Sequence, residues 1–122
     1  MSTQPAPGPR ALLTAGQAAA AAAVTALERE LGGIIESAGL ANSDDEHDPE
    51  GATIAFERQH VAALLGQARD QLAAVSRALR KLDDGSYGSC EHCGRPIAAQ
   101  RLAARPAAAS CIRCAAAVGR RG

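Results

Sequence analysis

Cys90, Cys93, Cys111 and Cys114 form two Cys-x2-Cys pairs with 17 residues between them, and they are the side chains here best suited to chemistry. Each pair presents two thiolates from one tight turn, and four thiolates close a tetrahedron around a single Zn2+. No position is left for water, so such a site is structural rather than catalytic. Gly94, directly after Cys93, suits a knuckle in which backbone N–H groups support the sulfur. His92 lies inside the first pair and could in principle replace a cysteine, but its neighbours on both sides are better placed. A disulfide framework is the rival reading. Residues 1–10 carry Pro5, Pro7 and Pro9 and no apolar core of a signal, so a reducing cytoplasm is the expected compartment.

The elements that must position these cysteines read as Ala-rich helices. The chain has 122 residues with one Phe, one Tyr and no Trp, so a thick core is excluded. Alanine favours helix and buries little surface. That combination predicts a helical pair with a thin seam, with the metal stabilising a finger that burial cannot. From Leu13 an apolar seam runs through Gln17, Ala20, Val24, Leu27, Leu31, Ile34 and Ala38 in alternating steps of four and three. The Gly32-Gly33 pair should be locally soft, and Gly39 offers a stop. The alanine run 18–23 is bracketed too closely by Gln17 and by Glu28, Arg29 and Glu30 for a membrane span.

An acidic interruption follows, with Asp44, Asp45, Glu46, Asp48 and Glu50 around His47 and Pro49. Asp48-Pro49-Glu50 is a helix start: the aspartate can cap, proline fits the first helical position, and the glutamate meets the positive end of the dipole. The second seam is Ile54, Arg58, Val61, Leu65, Ala68, Leu72, Val75, Leu79 and Leu82, with Arg58 its polar intruder. Asp83-Asp84-Gly85 ends a helix of roughly 50 Å at ~1.5 Å per residue. The seams match in length and the turn signal lies between them. The expected fold is therefore mostly α: an antiparallel coiled-coil hairpin, then a small C4 finger and a short C-terminal helix. The boundaries are a disordered arm at 1–10, a hairpin at 11–84 with its tip at 42–52, a finger at 85–118, and a disordered tail at 119–122. Self-dimerisation through a seam is the alternative to the hairpin.

Net charge is zero but uneven. Residues 1–84 hold 7 basic and 12 acidic side chains, whereas residues 85–122 hold 6 arginines against Glu91. An acidic helical part is a poor partner for phosphate backbones.

The stretch Tyr87-Gly88-Ser89-Cys90-Glu91-His92-Cys93-Gly94-Arg95-Pro96-Ile97, then Arg101-Leu102-Ala103-Ala104-Arg105-Pro106 and Cys111-Ile112-Arg113-Cys114, resembles the DksA/TraR C4 zinc-finger family. The match runs ungapped from Gly85 to Cys114; upstream the resemblance is one of architecture. It implies one structural Zn2+ and a bacterial transcription regulator that binds RNA polymerase rather than promoter DNA. The hairpin would enter the secondary channel, placing Asp44, Asp45, Asp48, Glu50 and Ala52 towards the active centre. The finger would rest on the rim, where Arg101, Arg105 and Arg113 are candidate contacts or else solvated surface. Members best known for altering promoter complexes carry two tip aspartates three apart, with an alanine two beyond the second. Ungapped counting places His47, Glu50 and Ala52 there, so the tip is acidic without the family's pattern. A solvated acidic turn is the plain alternative for the tip, and contact with the polymerase Mg2+ is a further reading of its carboxylates. The family also implies an alarmone (ppGpp) site built from an arginine and two lysines. Arg105 matches the arginine, but Ala74 and Ala115 stand for the lysines, so that site is not expected.

Other functions have weaker support. A nucleic-acid-binding zinc module would suit the basic finger, but Tyr87 alone makes no stacking platform. A coiled-coil adaptor is the second rival. No nucleophile–base pair or phosphate loop suggests an enzyme. The expected state is a monomer without membrane association or sequence-specific DNA binding.

Overall fold

The computed structural model describes residues 7–41 and 49–121, which form α1 (Pro9–Ala41), α2 (Pro49–Asp84), α3 (Ala99–Ala104) and α4 (Ile112–Arg121). No strand occurs among the described residues; Ser89 and Pro96 form one isolated antiparallel bridge. Helix α1 starts at Pro9, inside the expected arm, because proline's fixed φ suits a first turn. Helix α4 continues to Arg121, past the expected start of a tail at 119. The Gly32-Gly33 pair lies within unbroken α1. Asp44, Asp45, His47 and Asp48 fall outside the described residues. Helix α2 begins at Pro49, which leaves Ala52 exposed in its first turns.

The chain divides into two compact units, Met1–Ala18 with Leu72–Gly122, and Ala19–Gln71. The first joins the start of α1 and the end of α2 to the finger. Within it, Arg10 Nη2 donates to Asp83 Oδ1 at 2.8 Å and Gln17 Nε2 to Ser76 Oγ at 3.1 Å. An advance of one heptad on α1 is thus matched by a retreat of one heptad on α2, the register of an antiparallel pair. Leu13, Val75 and Ala78 are buried together, with Leu79, Leu82, Tyr87 and Ala107 packed around them. Full burial of a Leu or Val side chain contributes about 1.5–3 kcal/mol, so Leu13 and Val75 carry much of this small core.

Ala78 is off the heptad seam, and its burial has a separate cause. Ala74, Ala78 and Lys81 form a second stripe on α2, and together with Tyr87, Gly88 and Ala107 to Ala109 they line a crevice of about 50 Å3. The finger rests on this stripe, where alanine permits close approach. Tyr87 Oη donates to the Pro106 carbonyl at 2.9 Å and pins the far side of the same contact. Tyr87→Phe should cost about 1 kcal/mol, read from urea unfolding, because the half-buried Pro106 carbonyl loses its donor. An unchanged midpoint would mean water replaces the hydroxyl without loss.

The second unit has its own thin seam. Ala20, Val61 and Leu65 are buried, while Val24, Leu27, Leu31, Ile34, Ala38, Ile54 and Ala68 are half-buried. Arg58 is exposed and takes no part in the seam; a guanidinium there gains more from water than from the groove. Arg69 and Glu28 pair at 3.6 Å with both side chains more than half exposed, a contact worth at most about 1 kcal/mol. Phe56 is 73% exposed, and Ile35 and Leu64 also face solvent.

By length and composition alone, the stretch Pro9–Gly39 of α1 is apolar enough to cross a membrane, a test that an Ala-rich helix also passes. Alanine supplies most of that apolarity, and the larger residues divide between the seam, where Leu13, Val24, Leu27, Leu31 and Ile34 lie, and solvent, which Leu12 and Ile35 face.

Candidate metal centre

The turn that ends α2 positions the metal ligands. Gly85, at φ +83°, ends the helix in a left-handed conformation that suits glycine, and the Ser86 N–H returns to the Lys81 carbonyl at 2.9 Å. This is the six-to-one bond of a Schellman stop. Asp84 accepts from both the hydroxyl and the N–H of Ser86, which hold its carboxyl below the usual range. These bonds aim the chain away from α2 and into the first knuckle.

The knuckle closes on itself. Cys90 N–H donates to the Arg95 carbonyl at 2.8 Å and Gly94 N–H to the Cys90 carbonyl at 3.0 Å, a tight turn for which Gly94 adopts φ +73°. Ile97 N–H donates to the Gly88 carbonyl at 2.7 Å, and Ile97 is buried beneath the turn. The second pair is built differently. Cys111 precedes α4 and Cys114 lies in its first turn, so the Cys111 sulfur receives the Cys114 N–H as an N-cap would. Glu91 N–H donates to the Ala109 carbonyl at 2.8 Å and ties the knuckles together. Arg101 Nε donates to the Ser110 carbonyl at 2.9 Å and fixes α3 against the same segment.

The four Sγ atoms all lie within 4.8 Å of one another, with Cys93 and Cys111 at 3.8 Å. The edge of a ZnS4 tetrahedron with ~2.3 Å bonds is about 3.8 Å, so the donors are already spaced for the ion. Their protonation points the same way. Backbone N–H groups of Cys111, then Cys93 and His92, pull the Cys90 thiol down to about 5. Cys114 is pushed up to about 12, first by its bond with Cys111 and then by Cys90. The cluster takes on negative charge readily at one end and resists it at the other, and a bound dication resolves that conflict. All four positions are protein sulfur, so the centre holds structure and offers no open site to a substrate. His92 is exposed and stands outside the cluster.

Residues 85–118 match the family model described as the prokaryotic dksA/traR C4-type zinc finger. These residues are a dksA/traR-type finger. Individual relatives add to that match. The chain is 50% identical over 40 residues to the RNA polymerase-binding transcription factor DksA of Caulobacter vibrioides, across 33% of this chain and 28% of that protein. It is 37% identical over 67 residues to general stress protein 16O of Bacillus subtilis, across 55% of this chain and 41% of the relative. The chain thus spans well under half the length of these curated relatives. The solved structure of transcription factor DksA2 from Pseudomonas aeruginosa covers 91% of this chain and 85% of its own at a TM-score of 0.53 and 28% identity. The helical pair and the finger therefore occur together in a solved relative.

A contact that the sequence did not signal couples the dksA/traR-type finger to α2. Glu91, between the two cysteines of the first knuckle, accepts from Lys81 and lies 3.4 Å from Arg77 Nε. Lys81 first, and then the charge of Arg77, keep the Glu91 carboxyl below its ordinary range. The one visible hint is a lone acid in an arginine-rich stretch. The three rim candidates are placed unequally: Arg101 is half-buried and engaged with Ser110, whereas Arg105 and Arg113 are exposed. Ala74 and Ala115 are both half-buried.

Proposed function

We propose that the chain binds bacterial RNA polymerase and modulates transcription initiation, with the acidic segment that connects α1 to α2 entering the secondary channel and the finger resting on the rim. The observation that carries this reading is the dksA/traR-type finger joined to a long helical pair, the same pairing found in the DksA2 structure. A closed zinc site supplies no chemistry of its own, so action falls to the surfaces it holds in place. Acidic residues 44–50 are suited to a basic or metal-bearing site, and their departure from the family's tip pattern leaves the sign of regulation open to experiment. The bound form is a cytoplasmic monomer that makes no sequence-specific contact with DNA.

A photo-crosslinking residue placed at Ala52, which is exposed, tests the channel directly. Crosslinks to residues lining the secondary channel or the active centre are expected. Crosslinks confined to the outer surface of polymerase would sink the insertion while leaving binding intact. Phe56 offers a second check, since a large aromatic left 73% exposed on α2 gains nothing for the free chain. Phe56→Ala should leave thermal unfolding unchanged and weaken polymerase binding by about 10-fold, the loss of one buried aromatic anchor. Equal binding by wild type and variant would remove Phe56 from the contact.

A further inference from the structure

Arg95, Arg101, Arg105 and Arg113 line one open cleft of about 640 Å3 on the finger, with Ile112 among them. No carboxylate lines the cleft, and the ion pairs among the described residues involve none of these arginines. Arg101 spends one donor on the Ser110 carbonyl; its remaining N–H groups and those of the other three are left for a ligand. The Cys111 sulfur also borders the cleft, and the negative zinc–thiolate centre offsets part of the charge of the four guanidinium groups; an approaching anion can pair with the outward-facing remainder.

The lining narrows the class of anion. No aromatic residue borders the cleft, so a nucleobase has nothing to stack on. Ile112, 70% exposed beside the guanidinium groups, instead calls for an apolar side chain close to several carboxylates. The chain carries such a segment itself. Asp44 to Glu50 hold five carboxylates in seven residues, with Ile54 and the exposed Phe56 close behind. The imbalance of 7 basic to 12 acidic residues before position 85, and 6 to 1 after it, makes the molecule complementary to itself at zero net charge.

We propose that this arginine cleft docks the acidic segment 44–50 of a second copy of the chain, through guanidinium–carboxylate pairs with Ile112 as the apolar contact. Two different surfaces meet, so two copies can exchange the contact reciprocally. The associated form shields the acidic segment, and any partner of that segment must compete with the second copy. This contact does not depend on polymerase binding.

Sedimentation velocity of the zinc-loaded full chain tests it. At 50 mM NaCl a dimer should appear with rising concentration, and its dissociation constant should rise about tenfold or more at 500 mM as screening takes hold. Arg105→Glu with Arg113→Glu should give a monomer, as should Asp44→Lys with Asp45→Lys and Asp48→Lys. Each variant must still bind one zinc per chain, which shows that the finger is folded. Mixing the two variants should restore the dimer, because each now supplies the charge the other lost. A chain that stays monomeric at low salt would overturn the proposal. So would a dimer undiminished by the arginine substitutions, or variants that fail to complement on mixing.

Discussion

Chelating the metal from the full chain should erase the near-ultraviolet circular dichroism of Tyr87 while leaving most of the far-ultraviolet helical signal. Helix length decides the contrast. Helices α3 and α4 have 6 and 10 residues, too short to persist alone in water, whereas α1 and α2 have 33 and 36. The finger's own buried side chains are Cys90 and Ile97. Structural zinc in comparable small fingers binds with an apparent ~10–16 kcal/mol, far more than that burial supplies. Cys90→Ser should act like the chelator, because Cys90 gathers three backbone donors and is the thiol drawn down to about 5. Metal uptake displaces protons from the thiols, among them Cys114, whose protonated form is favoured by its contacts with Cys111 and Cys90, so loading should weaken as pH falls. Tyr87 is the only tyrosine and there is no tryptophan, so the optical signal reports one place. An unaltered Tyr87 band in the metal-free chain would show that the finger stands without its ion.

Leu13→Ala should destabilise the first unit by about 2–5 kcal/mol, the usual range for a buried leucine truncated to alanine. Leu13 is 1% exposed and lies against Val75, where few large neighbours exist to collapse into the space. The adjacent Leu12 is 39% exposed, and Leu12→Ala should cost less than about 1 kcal/mol. The two variants remove the same atoms one position apart on the same helix turn. Urea unfolding followed by Tyr87 fluorescence should therefore separate them clearly. Similar midpoints would mean that the start of α1 is not held in the α2 groove at all.

The heptad steps foretell much of this packing. Every α1 position named for the seam, from Leu13 to Ala38, is buried or half-buried, and on α2 Arg58 alone is exposed. Large aliphatic residues in a strict four–three rhythm leave one way to bury them. The cysteine spacing likewise indicates four sulfurs around one point. The second stripe on α2 is hidden because alanine carries no periodic information in a sequence so rich in it. Ala78 is buried by a finger whose docking depends on contacts far along the chain, among them Ala107. The Glu91 clamp and the arginine cleft are hidden for the same reason: each gathers residues that only the folded finger brings together. Asp44, Asp45 and Asp48 lie outside the described residues, and their role rests on resemblance and charge.

The first unit is discontinuous in sequence, and this imposes an order on folding. Arg10 and Asp83, which pair within it, are 73 positions apart, so the opening turns of α1 have no lasting partner until the end of α2 has been made. Leu13 and the alanines around it stay uncovered through the synthesis of everything between. Closing so long a loop is costly before it is rewarded, and it slows the step. A newborn chain of this kind spends its early life as a greasy, alanine-rich helix in search of a mate. Variants that delay the end of α2 should therefore show their harm first as aggregation during expression, before any loss of activity in the folded protein.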